Sequence, residues 1–364
     1  MKIAKKISKK AVVTAAINVI LTASFAGFMI YGNYSANLLH SQYAAERWMN
    51  YDDKLQYAQI SCFTGNGSQL STQTIGSVRA AVKNALSDAA IKPKEDERLW
   101  YDAYSSHYGE TDAGTDDVSK VKCDVRAVSS DFFLLRDFDI ESGSPFSDSD
   151  IMQNKAVIDS NLSWELFGSA DAAGMEFTLG NKELTVAAVI DMPDSKTENE
   201  LCGKIPRVYI PYYVASMLKG ESYTTVDCYE VVMPDPVKKF AYKAIKKSTE
   251  DFGENTSIVQ NTGRFSPYEL LKDFGKLKNL VVSDKQIAYP WWENAARITQ
   301  FKLSFIYVTA ALSIVFPLVT IVKVIFRLIK RLEQVKKFIL NVAESLFEKV
   351  RTHQFKRRND NAKK

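Results

Sequence analysis

Three histidines, four cysteines and one acidic loop are the residues of this 364-residue sequence whose types could do chemistry. His40, His107 and His353 lie far apart along the chain. Cys62, Cys123, Cys202 and Cys228 show no Cys-x-x-Cys spacing, so a structural zinc site is not expected. Asp112, Asp116 and Asp117 could touch a cation, but a solvated loop is the simpler reading. Gly65-Asn66-Gly67 lacks the helix-start spacing of a phosphate cradle and reads as a turn. Neither Gly-x-x-x-x-Gly-Lys-Ser/Thr nor Gly-x-Ser-x-Gly occurs, so the chain is not expected to hold ATP in a P-loop or to carry a nucleophile elbow. No catalytic, metal or cofactor-binding residue is assigned. The expectation is a protein that is not an enzyme and has no cofactor.

The elements that must position these residues are bracketed by two apolar runs, Ala11 to Tyr31 and Leu303 to Ile325. Each exceeds the roughly 20 residues a helix needs to cross about 30 Å of hydrocarbon. The net charge of +4 hides an asymmetry. Residues 1–10 carry five lysines and no acid, and residues 323–364 carry 13 Lys/Arg against four acids, which leaves the stretch between strongly acidic. Short basic flanks mark the cytoplasmic side. Both termini are therefore expected inside and residues 32–302 outside, in a cell-membrane protein with two spans. A cleaved signal peptide is the alternative for the first run. It is disfavoured because the apolar core is long and no small-x-small cleavage site follows. Lys323, near the inner end of the second run, reads as a snorkelling residue. Pro317 reads as a kink, either a hinge or a packing feature.

Between the runs, residues 32–54 read as a helical stalk. Residues 55–119 form a first β-α-β half: an alternating strand from Leu55 to Phe63, an amphipathic helix carrying Ile75, Val78, Val82 and Leu86, and a second strand over residues 97–106. Residues 120–222 read as an inserted β-rich lobe. Within it, Asn161–Phe167 is a short helix capped by Asp159 or Ser160, and a hairpin crosses Gly180-Asn181. Residues 223–287 form a second β-α-β half. The two halves are expected to pair into one sheet covered by their helices, because neither can bury its apolar face alone. The fold class is thus α+β, with two transmembrane helices flanking the outer domain. All four cysteines lie in that domain. Cys123–Cys202 and Cys62–Cys228 are expected as disulfides because each pair sits in elements expected to be neighbours, with buried free thiols as the alternative. Residues 288–302 form an aromatic pre-membrane segment. Its Tyr289, Trp291 and Trp292 are expected to anchor the membrane interface.

An ordered set of fragments runs through the domain: Arg126-Ala-Val-Ser-Ser-Asp-Phe-Phe133, Gly143-Ser-Pro-Phe146, Ala156-Val-Ile-Asp159, Trp164-Glu-Leu-Phe-Gly168, Ala173-Gly174, Val186-Ala-Ala-Val-Ile190 and Arg207-Val-Tyr-Ile-Pro211. In order and spacing this set resembles the extracytoplasmic core of the MacB/FtsX type of ABC transporter permease. The resemblance implies a two-lobed outer domain, dimerisation, and coupling to a cytoplasmic ATPase that moves the outer domain mechanically. It also implies further membrane helices, usually four in all, where this sequence shows two. The chain is read as a divergent two-helix member, with a truncated product as the alternative.

The last segment, residues 326–364, differs from that pattern. Leu328, Leu332, Val335, Ile339, Val342 and Leu346 are spaced 4, 3, 4, 3, 4, and Lys/Arg residues occupy other positions. This predicts a basic amphipathic cytoplasmic helix. It could lie on the inner leaflet, pair with a second copy, or dock on an ATPase or a full-length permease. A surface helix without a role is the bland reading, and partner contact is preferred. The functional expectation is a non-catalytic membrane subunit of a MacB-like assembly, part of a homo- or hetero-oligomer. Its outer domain would bind or gate an envelope substrate or partner. The alternative is a structural or sensory membrane protein that keeps the fold without transport. No nucleic-acid partner is expected.

Overall fold

The computed structural model describes residues 9–49, 55–65, 67–93, 98–118, 120–150, 154–203, 205–281 and 286–361. Lys2, Lys5 and Lys6 of the basic start, Asn66 of the turn, the stalk end at residues 50–54 and residues 362–364 lie outside them. The chain divides into two units. One is Tyr31–Phe305; the other comprises the flanking helical segments, up to Ile30 and from Ile306 onward.

In chain order, α1 (Lys9–Asn37) is followed by a 3-10 turn (His40–Gln42), α2 (Ala44–Trp48), β1 (Tyr57–Thr64), α3 (Ile75–Asp88) and β2 (Tyr101–Gly114). Next come β3 (Val121–Val128), α4 (Phe132–Arg136), β4 (Ile140–Gly143), β5 (Lys155–Asp159), α5 (Ser160–Phe167), β6 (Glu176–Leu179), β7 (Lys182–Ile190), α6 (Lys196–Cys202), β8 (Arg207–Pro211) and α7 (Tyr212–Lys219). Last are β9 (Cys228–Pro234), α8 (Phe240–Ser248), β10 (Thr256–Gln260), α9 (Pro267–Lys272), α10 (Lys278–Val281) and α11 (Trp291–Asn361). Two helices, Lys9–Asn37 and Trp291–Lys349, have the length and apolarity to cross a membrane, with mean hydropathies of 1.9 and 2.3 over their most apolar stretches.

All ten strands among the described residues belong to one sheet, in the order β10-β1-β9-β2-β3-β8-β5-β7-β4, with β6 pairing both β2 and β7. The first four are mutually antiparallel neighbours. Strands β1 and β2 come from one β-α-β unit and β9 and β10 from the other, so the two units interleave as a split β-α-β sheet. Helices α3 and α8 cover one face. Ile75, Val78, Val82 and Leu86 of α3 pack there on Ala58, Ile60 and Cys62 of β1 and on Tyr229 and Val231 of β9. The alternation of β1 dictates this, because every second residue points to the helices.

The inserted stretch is not a separate β layer. Strand β2 is 14 residues long and pairs β9 near its start and β3 along most of its length, so the sheet runs on into the insertion. The described part of the insertion holds four helices, α4 to α7, that periodicity understated. Of these, α5 and α7 cover a second core with Val125, Ile158, Val186, Val208 and Ile210. Asp159 caps α5, its carboxylate accepting from the Leu162 amide at 2.8 Å. Gly143 requires glycine on two counts. Its φ is +74°, and a Cβ would stand 2.2 Å from the Ala187 carbonyl oxygen. The turn toward Phe146 depends on that approach.

The disulfide expectation is corrected. All four cysteines are free and buried. Ser61 is paired with Glu230, Cys62 with Tyr229 and Phe63 with Cys228, so Cys62 and Cys228 stand one register apart and face opposite sides of the sheet. Cys123 faces the insertion core, where its thiol donates to the Thr111 carbonyl at 3.0 Å. Cys202 closes α6 outside that core, and its carbonyl accepts from Arg207. Burial pushes the Cys123 and Cys202 thiols up to about 12, so they stay protonated and inert.

Helix α11 continues unbroken past the apolar run to Asn361, with Pro317 inside it. The separate C-terminal helix expected from sequence is therefore the far part of the same helix. Leu328, Leu332, Val335, Ile339, Val342 and Leu346 are all exposed there.

Candidate functional site

The face of the sheet away from α3 and α8 carries polar residues that strand alternation would assign to solvent. Gln59 and Ser61 of β1 and Glu230 of β9 all lie on it, and all three are buried. They are covered by the 3-10 turn and α2 after the first apolar helix, and by the start of α11 before the second. Ser61 donates to Glu230 at 2.7 Å, and the Asn261 amide donates to the Ser61 hydroxyl at 2.8 Å. Arg136 of α4 forms an ion pair with Glu230. The Gln59 side-chain amide donates to the Ser41 carbonyl at 2.8 Å and accepts from the Ala44 amide at 3.0 Å, fixing the entering chain to β1.

Arg264, in the loop after β10, is the hub. It donates to both oxygens of Glu293 in a fork, at 2.8 and 3.1 Å. It also reaches Gln42 at 3.0 Å and Gln300 at 3.2 Å. One guanidinium thereby ties the chain arriving from the first apolar helix to the helix that enters the second. Planar bidentate pairing with further hydrogen bonds is the geometry in which a buried ion pair recovers its desolvation cost. The inserted lobe joins the same seam, since Ser41 donates to Glu198 of α6 at 3.3 Å.

Burial governs the charge states. It pushes Glu198 up to about 7, with the Ser41 hydroxyl and the Arg136 charge pulling the other way. Burial pulls Arg136 down to about 9, which leaves it cationic at neutral pH. Arg136 lies over the Trp292 ring at 3.9 Å and Arg126 at 5.0 Å.

Trp292 is consequently not an interfacial anchor. It is fully buried, edge-on to Phe132 at 5.6 Å. Trp291 and Tyr289 are half-buried against the same core, Tyr289 packing on Phe63 at 5.4 Å and under Arg297 at 4.3 Å. The aromatic cluster preceding the second run closes the domain's own base, which a sequence reading cannot separate from an interfacial belt.

Beside the seam, a cleft of about 590 Å³ opens between α2 and the insertion. Trp48 and Tyr101 form one wall; Phe133, Phe138, Ile140 and Phe146 form the other. The fragments Arg126–Phe133 and Gly143–Phe146 thus converge on one place, although they are separated in sequence. Arg47 at the rim pairs with Asp137 at 3.5 Å and donates to the Leu135 carbonyl at 3.1 Å.

A second polar group gathers residues of β2, β3 and β8 with Asp227, just before β9. His107 meets Asp124 at 2.7 Å, Arg207 reaches Asp124 at 3.6 Å and Arg126 reaches Asp227 at 3.0 Å. The hydrogen bond to Asp124 raises the His107 pKa. For Asp124, burial raises the pKa, but the His107 hydrogen bond and the flanking cations outweigh it and the net shift is downward. Asp159 is pushed up to about 6 by burial, against the Leu162 and Arg207 amides that it accepts from. Asp112 of the acidic loop pairs with Lys120 at 3.7 Å. Among the described residues, no group of three or more His, Cys, Asp or Glu side chains could hold a metal.

No curated protein matches this chain. Among solved structures, the periplasmic region of MacB from Actinobacillus actinomycetemcomitans is similar, with 13% identity over 56% of this chain and 88% of that one and a TM-score of 0.36. The extracellular domain of the noncanonic ABC-type transporter YknZ from Gram-positive bacteria is similar as well, with 12% identity over 55% of this chain and 99% of that one and a TM-score of 0.38. The MacB-like periplasmic core domain family matches residues 11–244, more than half of the sequence and all the fragments that meet at the cleft. The chain belongs to that family, and is a membrane ABC transporter component with an extracytoplasmic domain.

Proposed function

We propose that this chain is a non-catalytic subunit of a MacB-like ABC transporter assembly. Its outer domain binds or gates an envelope substrate or partner, and its motion is coupled to a cytoplasmic ATPase. The observation that carries the reading is the Arg264 clamp, one buried side chain holding Gln42, Glu293 and Gln300 together. A domain that transmits force needs both chain segments fixed rigidly to its body, and a buried charge-assisted network supplies that stiffness. The proposed topology places both termini in the cytoplasm, on the strength of the basic flanks. The exposed stripe from Leu328 to Leu346 is the proposed partner contact.

The test is isolation of the full chain from its native membrane in mild detergent, with identification of the co-isolated subunits. An ATP-binding subunit is expected. Its consistent absence would remove the coupling. Thiol-reagent accessibility of cysteines introduced at Lys9 and at Arg327 checks the topology; both sites should react only from the cytoplasmic side.

A further inference from the structure

From 321 to 349 every residue of α11 is exposed, so in the described structure no other part of the chain covers its apolar face. An isolated helix gains little stability from propensity alone; packing of an apolar face supplies most of it. An exposed stripe of this extent marks an interaction surface. The question is what covers it.

The spacing answers that question. Leu332, Ile339 and Leu346 occupy heptad position a, and Leu328, Val335 and Val342 occupy position d. The b positions hold Glu333, Leu340 and Phe347, whereas the f positions opposite such a seam, Lys330, Lys337 and Glu344, are all polar, as are the c positions from Arg327 to Glu348. That is the pattern of helices wound around one another. Lying on a lipid surface would instead require the helix to bend sharply where the span ends. The helix is continuous there, and no glycine or proline occurs between Leu318 and Asn361. Two copies inserted in the same membrane in the same sense present this stripe in parallel with no bend at all. The flanking e and g positions agree. Ile329, Phe338, Ala343 and Ser345 are uncharged, and only Arg331 and Lys336 carry charge.

We infer that the stripe from Leu328 to Leu346 pairs in parallel with the same helix of a second copy of this chain. The inference rests on the partner-contact reading and names the partner. In this arrangement Arg331 at g of each copy faces Lys336 at e of the other, a like-charged contact that occurs twice across the seam by symmetry. It weakens the pairing, and reversing one charge should strengthen it.

The experiment uses the full-length protein in its native membrane. Ile339→Cys and Lys337→Cys are oxidised in parallel, against a background of four native thiols that are 0–4% exposed. The a-position variant should cross-link about tenfold more than the f-position variant. Equal yields, or no cross-link, would overturn the inference. Arg331→Glu is then added to Ile339→Cys. A parallel coil should cross-link more, because the introduced carboxylate would oppose Lys336 of the neighbouring copy. A loss of cross-linking points to an anionic surface as the occupant and also overturns it. An ATP-binding subunit that co-isolates while Ile339→Cys gives no cross-link would remove the coil and leave the subunit reading standing. The reverse outcome would do the opposite.

Discussion

The base of the outer domain and the far end of β2 carry ion pairs of contrasting kinds. At the far end, Lys122 pairs with Glu110 and Lys120 with Asp112, with side chains 43–81% exposed. At the base, Arg136 pairs with Glu230 and Arg264 with Glu293, with side chains 0–5% exposed. Water screens the first set, and such pairs contribute little. The second set lies where removing one partner leaves a bare charge in a dry interior. Charge at the far end therefore keeps the surface soluble, whereas charge at the base fixes geometry. The base is where both flanking chain segments and both lobes meet, so specificity of arrangement matters most there.

The largest effect should come from Arg136→Met. It leaves Glu230 unpaired and should cost about 3–5 kcal/mol, seen as a fall in the thermal midpoint of the detergent-solubilised protein. Adding Glu230→Met should recover most of that loss; failure to recover would show that the pair stabilises beyond balancing charge. Trp292→Ala should cost a similar amount, about 3–5 kcal/mol, from the cavity and the lost stacking under Arg136 and Arg126. A neutral result would restore the view of Trp292 as a membrane-interface residue.

The next effect is pH-dependent. Glu198 has a folded pKa raised to about 7 from a usual value of 4.5. The folded state therefore binds a proton more tightly than the unfolded chain. Stability is greatest below the unfolded value and falls as pH rises from there through about 7. Glu198→Gln should flatten the midpoint-against-pH curve over that window and raise the midpoint at the alkaline end. A slope unchanged by the substitution would show that Glu198 is not the group responsible. The smallest effect should be Lys120→Ala, within about 0.5 kcal/mol of the parent. A larger loss would erase the contrast between the two regions.

Much of this architecture was legible in residue patterns. The period of Ile75, Val78, Val82 and Leu86 marked α3, and these residues are buried against β1 and β9. The ordered fragments led to the family because residue types such as Gly143 and the aromatic residues around Phe133 can be read in order, although the contacts that require them, with Ala187 and Tyr209, are distant in the chain. The seam was less legible. Gln59, Ser61 and Glu230 alternate with apolar neighbours as the solvated side of a strand would, and nothing local says that α2 and α11 will cover them. Arg264 stands alone in a loop, and its partners Gln42 and Glu293 are 222 and 29 residues away. Trp292 carries the same local signal as an interfacial tryptophan.

What the sequence determined by itself is what depends on composition and on period: two apolar helices, an apolar stripe at heptad spacing on a basic segment, and strands and helices that alternate as the family's do. Each is a property of a stretch of chain and its solvent. The tertiary structure alone decided that the cysteines stay apart, that the insertion continues the sheet of the split β-α-β core, and that the polar face of β1 is dry. Those outcomes depend on register and on what covers a surface, and both are set by contacts between residues far apart in the chain.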